Sequence, residues 1–291
     1  MMNFRELWQL VKDTLDAWLD DFAPSMGAAL AYYTIFSMAP LLLLLIAVAG
    51  YFFGADAARG QIVGELAGLM GDDGAAAVEG ILKTASQPGE SLVAIAVSVV
   101  MLFIGATTVF AELQSDLDRI WKTPVAKRPS GIWGLIRTRL LSFGMILGIG
   151  FLLVVSLVLS AGLAALGKWW EPLLKDWAAL LEILNFVVSF AVITALFALM
   201  YKILPSVRVR WRHVWIGAIV TAFLFTLGKY LIGLYIGKSG IASGFGAAGS
   251  LIVVLLWVYY STQIFLLGAE FTQVYAQRSA ARPDPERRVM I

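Results

Sequence analysis

The chain reads as an all-α polytopic membrane protein, with six transmembrane helices and an N-terminal amphipathic helix at the membrane interface. Three observations predict this class. Hydrophobic residues make up 60% of the 291 and charged residues only 14%, against about a quarter charged in soluble domains. Six stretches with at most one charge each reach the roughly 20 residues that a helix needs to cross about 30 Å of hydrocarbon. Lys and Arg collect in alternate connections between these stretches, the pattern left when one side of a membrane retains basic loops.

Taken in order, Phe4, Leu7, Trp8, Val11, Leu15, Trp18, Leu19 and Phe22 recur at helical spacing with charged residues between them, which predicts an amphipathic helix. It either lies in the interface or packs on the ends of its own bundle, and no long apolar core with a cleavage site marks it as a signal peptide. The first span is Ala28–Phe53, inside an uncharged run from Ser25 to Ala55. Its first half holds Tyr33, Ser37 and Pro40, and Pro40 removes a backbone donor and crowds the Phe36 carbonyl, so a bend is expected there. Residues 56–91 carry six acids against Arg59 and Lys83, with two short helical patterns, and predict an extracytoplasmic helical cap. Further spans follow at Leu92–Ala111, Leu140–Leu166, Ile183–Tyr201, Val214–Ile236 and Ser250–Phe271. Residues 1–277 thus form one membrane domain, and 278–291, with Pro283, Pro285, Arg287 and Arg288, predict a disordered tail.

Placing the N-terminus, the second and fourth loops and the tail on one side gathers sixteen of the twenty-two Lys and Arg there, leaves five on the other side and puts Lys229 in the membrane. Both termini are therefore expected in the cytoplasm. The absence of cysteine excludes disulfides and thiolate chemistry. With His213 as the single histidine, a metal site would have to rest on carboxylates, and no metal or cofactor is expected. Gly237-Lys238-Ser239 lacks the earlier glycine of a phosphate loop, because that position is Ile232. Its glycine-rich surroundings suit a tight hairpin better.

Polar residues inside the spans form three stripes: Tyr33, Ser37 and Pro40 on the first span; Ser98, Gly105, Thr108 and Glu112 on the second; Tyr259, Gln263 and Glu270 on the sixth. Polar groups facing lipid are costly, so the stripes either line a watery cavity or hydrogen-bond helix to helix. Lys229 lies roughly 12 Å below the outer end of its span, too deep to reach water comfortably. It needs a partner such as Glu182, Asn185, carbonyls near Pro40 or an anionic head group. Glu112, Asp116 and Arg119, with the pair Asp118 and Lys122, predict a salt-bridged helix end rather than a two-metal nuclease centre.

Ala29-Leu30-Ala31-Tyr32-Tyr33-Thr34-Ile35-Phe36-Ser37 with Pro40, Gly105-Ala106-Thr107-Thr108-Val109-Phe110-Ala111-Glu112-Leu113-Gln114 leading to Ile120-Trp121, and Leu256-Trp257-Val258-Tyr259-Tyr260 with Gly268-Ala269-Glu270 resemble the YihY/BrkB family of bacterial inner-membrane proteins. The resemblance implies an inner-membrane location and links to virulence, serum resistance and transport of envelope lipids; an older ribonuclease label for the family is regarded as a misassignment. The expected function is transporter-like handling of a lipid or amphiphilic envelope molecule. The candidate site is Lys229, Tyr33, Ser37, Pro40, Thr108, Glu112, Tyr259, Gln263 and Glu270; the partners are membrane lipids, with an anionic lipid or amphiphile as substrate and no nucleic acid. A non-transporting scaffold for envelope assembly is the alternative, a membrane-tethered hydrolase is disfavoured, and homo-oligomerisation stays open.

Reporters fused at Gln277 or within Lys127–Gly131 are expected to behave as cytoplasmic, and those within Gly71–Gly74 or Lys168–Pro172 as extracytoplasmic. Opposite sides for the two termini would rule out an even number of spans.

Overall fold

A computed structural model describes residues 3–85, 92–124, 131–170, 178–239 and 249–281. Eight helices are present among the described residues: α1 (Phe4–Asp20), α2 (Ala23–Phe53), α3 (Ala55–Ala85), α4 (Leu92–Ile120), α5 (Gly131–Trp170), α6 (Ala178–Ile203), α7 (Trp211–Ser239) and α8 (Gly249–Ala281). Five are long and apolar enough to cross a membrane, over Ala23–Tyr51, Gly131–Leu152, Phe186–Ile203, Trp211–Tyr235 and Leu251–Ala280. The expected second crossing falls on α4, where residues 92–111 are uncharged and several side chains lie outside the described set. The glycine-rich turn, the end of the cap and residues 282–291 also lie outside the described residues.

The amphipathic N-terminal segment forms α1, begun by the Asn3 amide donating to Glu6 Oε2 at 3.2 Å. One side, with Leu10 and Thr14 buried, packs on α8 and α2. The other side turns Phe4, Leu7, Trp8, Val11, Leu15 and Leu19 outward, with Phe4 84% and Trp8 66% exposed. Of the two readings left open by the residues, packing on the bundle is seen on one face, and the other face is left exposed and apolar. Phe22 joins α1 to α2 in a left-handed conformation, φ 58°, which is uncommon for a bulky residue. The Arg119 guanidinium lies over its ring, 5.7 Å from the centroid.

The cap differs from expectation. In place of two short helices, α3 is one helix of 31 residues running through Gly71-Asp72-Asp73-Gly74. It packs along α2 and reaches α8 and α7, and its Val78 and Leu82 join the common core. Tertiary burial of those two side chains outweighs the local helix-breaking tendency of the glycines. The last helix, α8, continues to Ala281, through the first four residues of the expected tail. Arg278 is fastened there by an ion pair with Asp13 and a 3.2 Å bond to the Glu6 carbonyl.

Close approach through glycine organises the bundle. α2 continues through Pro40 as one helix, and the proline ring fills the notch at Gly105 of α4, where a Cβ would come within 2.8 Å of Pro40 Cγ. Between α7 and α8 the same five-residue pattern occurs twice, Gly217-Ala218-Ile219-Val220-Thr221 and Gly268-Ala269-Glu270-Phe271-Thr272. The packing is reciprocal: Thr272 sits on Gly217 and Thr221 on Gly268, so tightly that a Cβ would meet the threonine oxygens at 1.8 and 1.9 Å. Each threonine hydroxyl donates to the glycine carbonyl of its own helix, at 2.7 Å for Thr221 and 2.6 Å for Thr272. Tyr201 of α6, fully buried, closes the junction, with its hydroxyl 2.7 Å from the Phe265 carbonyl and 3.0 Å from the Thr221 hydroxyl.

Gly268→Ala is expected to lower the thermal unfolding midpoint in detergent, since overpacking a tight contact costs about 1–3 kcal/mol. Gly64→Ala, with nothing within 4 Å of the added methyl, should leave the midpoint unchanged or raise it. Equal effects of the two changes would mean that the α7–α8 seam is not close-packed.

Candidate functional site

The order of the helices brings the start of α2, the end of α4, the start of α5, the end of α6, the start of α7 and the end of α8 to one end of the bundle, next to α1. This is the basic end, with eleven Lys and Arg among the described residues. Asp118, 3% exposed, fixes its architecture. The Ser206 amide and hydroxyl donate to its two carboxylate oxygens, each at 2.7 Å, and the Thr123 hydroxyl donates at 3.1 Å. The link between α6 and α7 is thereby pinned to the end of α4.

The expected Asp118–Lys122 pair is not what forms. Lys122 has left the helix in a left-handed conformation, φ 49°, which frees Asp118 for Ser206 and Thr123. Arg119 likewise turns to the Phe22 ring. Asp116, beyond the uncharged part of α4, is buried, and its pKa is pushed up to about 7 by burial and then by the Glu112 charge, against the pull of Arg119.

The pinned link shapes a cavity of about 340 Å³ lined by Gln114 of α4, Arg137 and Leu141 of α5, Lys202 and Ile203 of α6, and Pro205, Ser206, Val207 and Arg208. Three cations and no carboxylate face it. Lys202 is held by the Val209 carbonyl and lies over Trp211, 5.1 Å from the ring centroid. Gln114 Nε2 is 3.5 Å from the Ser206 hydroxyl. The site therefore offers guanidinium, ammonium and amide donors in one concave surface, a donor set suited to phosphate or carboxylate oxygens.

A second cavity, of about 290 Å³, lies between α1 and the end of α8, with Lys122 on its wall. Its lining is acidic, with Asp13, Asp16, Asp20, Asp21 and Glu270 against Lys122 and Arg278.

The structure divides the residues singled out from sequence. Tyr33 is at the surface, edge-on to Tyr32 at a 5.8 Å centroid distance. Ser37 is buried and Pro40 lies on Gly105. Thr108 accepts from Arg139 Nη1 at 3.1 Å, and the same nitrogen reaches the Thr107 hydroxyl at 2.8 Å and the Ile104 carbonyl at 3.1 Å. Tyr259 and Gln263 face α2 at Gly27, where a Cβ would come within 1.9 Å of Gln263 Nε2. Glu112 is half-buried near Asp116. Glu270 is 1% exposed. Lys229 is half-buried, with its ammonium 5.3 Å from the centroid of the exposed Tyr230 ring; the side chains of Glu182 and Asn185 lie outside the described set. Arg139 and the cations of the larger cavity were missed because the basic loops had served only to orient the chain. The signal was Arg137 and Arg139 falling just before an apolar run.

A family model described as Virulence factor BrkB matches residues 14–290. Among curated relatives, a UPF0761 membrane protein of Tolumonas auensis is 31% identical over 60% of this chain and 56% of its own length. One of Stenotrophomonas maltophilia is 28% identical over 89% of this chain and 58% of its own length. One of Pseudomonas paraeruginosa is 30% identical over 90% of this chain and 63% of its own length. The matched part thus covers 56–63% of these relatives. No solved structure matches. With the family pattern extending from α1 through α8 and a helical membrane bundle beneath it, the chain belongs to the BrkB family of membrane proteins.

Proposed function

We propose that the protein handles an anionic lipid or amphiphile in the manner of a transporter, gripping its head group in the basic cavity between α4, α5 and α6 on the cytoplasmic side of a bacterial inner membrane. The observation that carries this reading is the convergence of Arg137, Lys202 and Arg208 on one concavity with no acidic lining residue. At head-group depth, where the end of a spanning bundle would lie, each cation would contribute about 1 kcal/mol of attraction to anionic lipid. Arg137 and Leu141 are one turn apart on α5, so polar and apolar parts of one amphiphile would meet successive turns of the same helix.

The scaffold reading has its own support. Gln263 packs on Gly27, Pro40 on Gly105, and Arg139 bonds to α4, so much of the polar stripes holds helix to helix. A hydrolase has less: Asp118 is engaged by Ser206 and Thr123, and among the described residues no three metal-ligating side chains converge.

Native mass spectrometry in nanodiscs separates the readings. Wild-type protein should retain phosphatidylglycerol or cardiolipin, and Arg137→Gln with Arg208→Gln should weaken retention roughly thirtyfold, from two contributions of about 1 kcal/mol. Unchanged retention in the double variant would favour the scaffold. Lys229→Met, in the opposite half of the bundle, should fold and retain the lipid like the wild type; lost retention would return the site to Lys229.

A further inference from the structure

Glu270 presents a problem that the head-group reading does not use. It is among the largest fully buried side chains, 1% exposed, and neither carboxylate oxygen has a hydrogen-bond partner. It nevertheless lines a cavity of about 290 Å³. The charged groups acting on it are Asp21, a second carboxyl at hydrogen-bonding reach, and Lys122. Two carboxyl groups without a proton between them have no donor to offer each other. An ionised carboxylate withdrawn from water and left unpartnered is too costly to stand alone. Asp16 and Asp20 of α1 add further negative charge to the opening, and Arg278 is already engaged by Asp13 and the Glu6 carbonyl. Five carboxylates on the wall thus face Lys122 and Arg278, and the cavity stays short of positive charge.

The geometry points to this cavity, between α1 and α8, as a binding site for a primary ammonium group, with Glu270 as its buried anchor. A metal ion fits less well, because among the described residues no three carboxylates or imidazoles converge as ligands. An ammonium instead carries three hydrogen-bond donors, for which the lining supplies acceptors in the Glu270 and Asp21 carboxylates and the Gln273 side-chain amide. The cavity volume admits a short amine chain, and its mouth lies beside α1, whose opposite face is apolar and exposed. The ammonium could come from a soluble amine or from an aminophospholipid head group. The inference concerns a cavity separate from the basic one, so it stands or falls independently of the anionic head-group reading.

The test uses the full chain in phosphatidylcholine nanodiscs, whose quaternary ammonium has no hydrogen to donate, titrated calorimetrically with putrescine at pH 8. Saturable binding is expected, weakened at least tenfold by Glu270→Gln and several-fold by Asp16→Asn, an exposed position that keeps the test valid should the buried variant fail to fold. Replacing part of the phosphatidylcholine with phosphatidylethanolamine distinguishes the sources: competition with putrescine marks the lipid amine, and its absence marks a soluble amine. Three results would overturn the inference: no putrescine binding, binding indifferent to both substitutions, or Mg²⁺ taking the place of the amine on the same carboxylates. A protonated carboxyl band at pH 8 that vanishes in Glu270→Gln and is untouched by putrescine would likewise assign the site to a proton.

Discussion

Nothing in a hydrocarbon solvent rewards helices for merely being apolar, so this bundle depends on how closely its backbones can approach. The α7–α8 crossing shows the principle most fully. Two copies of Gly-Ala-x-x-Thr on antiparallel helices place each threonine in the other's notch. Each hydroxyl is satisfied on its own helix, so contact adds dispersion without leaving a polar group unmet. Tyr201 then extends the junction to α6 through the Phe265 carbonyl, and Pro40 on Gly105 repeats the device between α2 and α4.

The charged end obeys another rule. There, polar groups such as Asp118 are held by specific partners, and other charges line the cavities. Asp118 is fully engaged, and its engagement fixes the link that carries Ser206 and Arg208. The two cavities on this end have opposite lining charge, one basic and one acidic. They are lined by different parts of the bundle, so this end carries two cavities of opposite charge rather than one mixed surface.

Much of the fold was legible in the sequence because apolar length is a strong signal when every backbone polar group must be satisfied within the segment. The amphipathic α1 was equally plain, from Phe4, Trp8, Val11 and Leu15. The single helix α3 was not, because Gly71 to Gly74 looks like a break until Val78 and Leu82 are seen in the core. In the polar stripe of α8, Tyr259 and Gln263 meet a glycine on α2 while Glu270 lines a cavity beside α1, and a stripe cannot say whether its counterpart is water or backbone. Asp118 could not have been paired from sequence, since its partner Ser206 is 88 residues away. The Gly-Ala-x-x-Thr pair was visible as a repeated string, but its reciprocity depends on a crossing point that only the assembled bundle defines.

The fastening of α1 has a mechanical consequence. In a bilayer its outward row of Phe4, Trp8, Val11 and Leu15 would settle at a depth set by the leaflet, while Arg278 locks its other side to the last turns of α8. The left-handed residue Phe22 ties the same helix to the first crossing, and Arg119 rests on that ring from α4. A change in leaflet thickness or lateral pressure that lifted or sank α1 would therefore pull on α2, α4 and α8 at once. The N-terminal helix would in this sense act as an outrigger, its fastenings passing any displacement to the bundle.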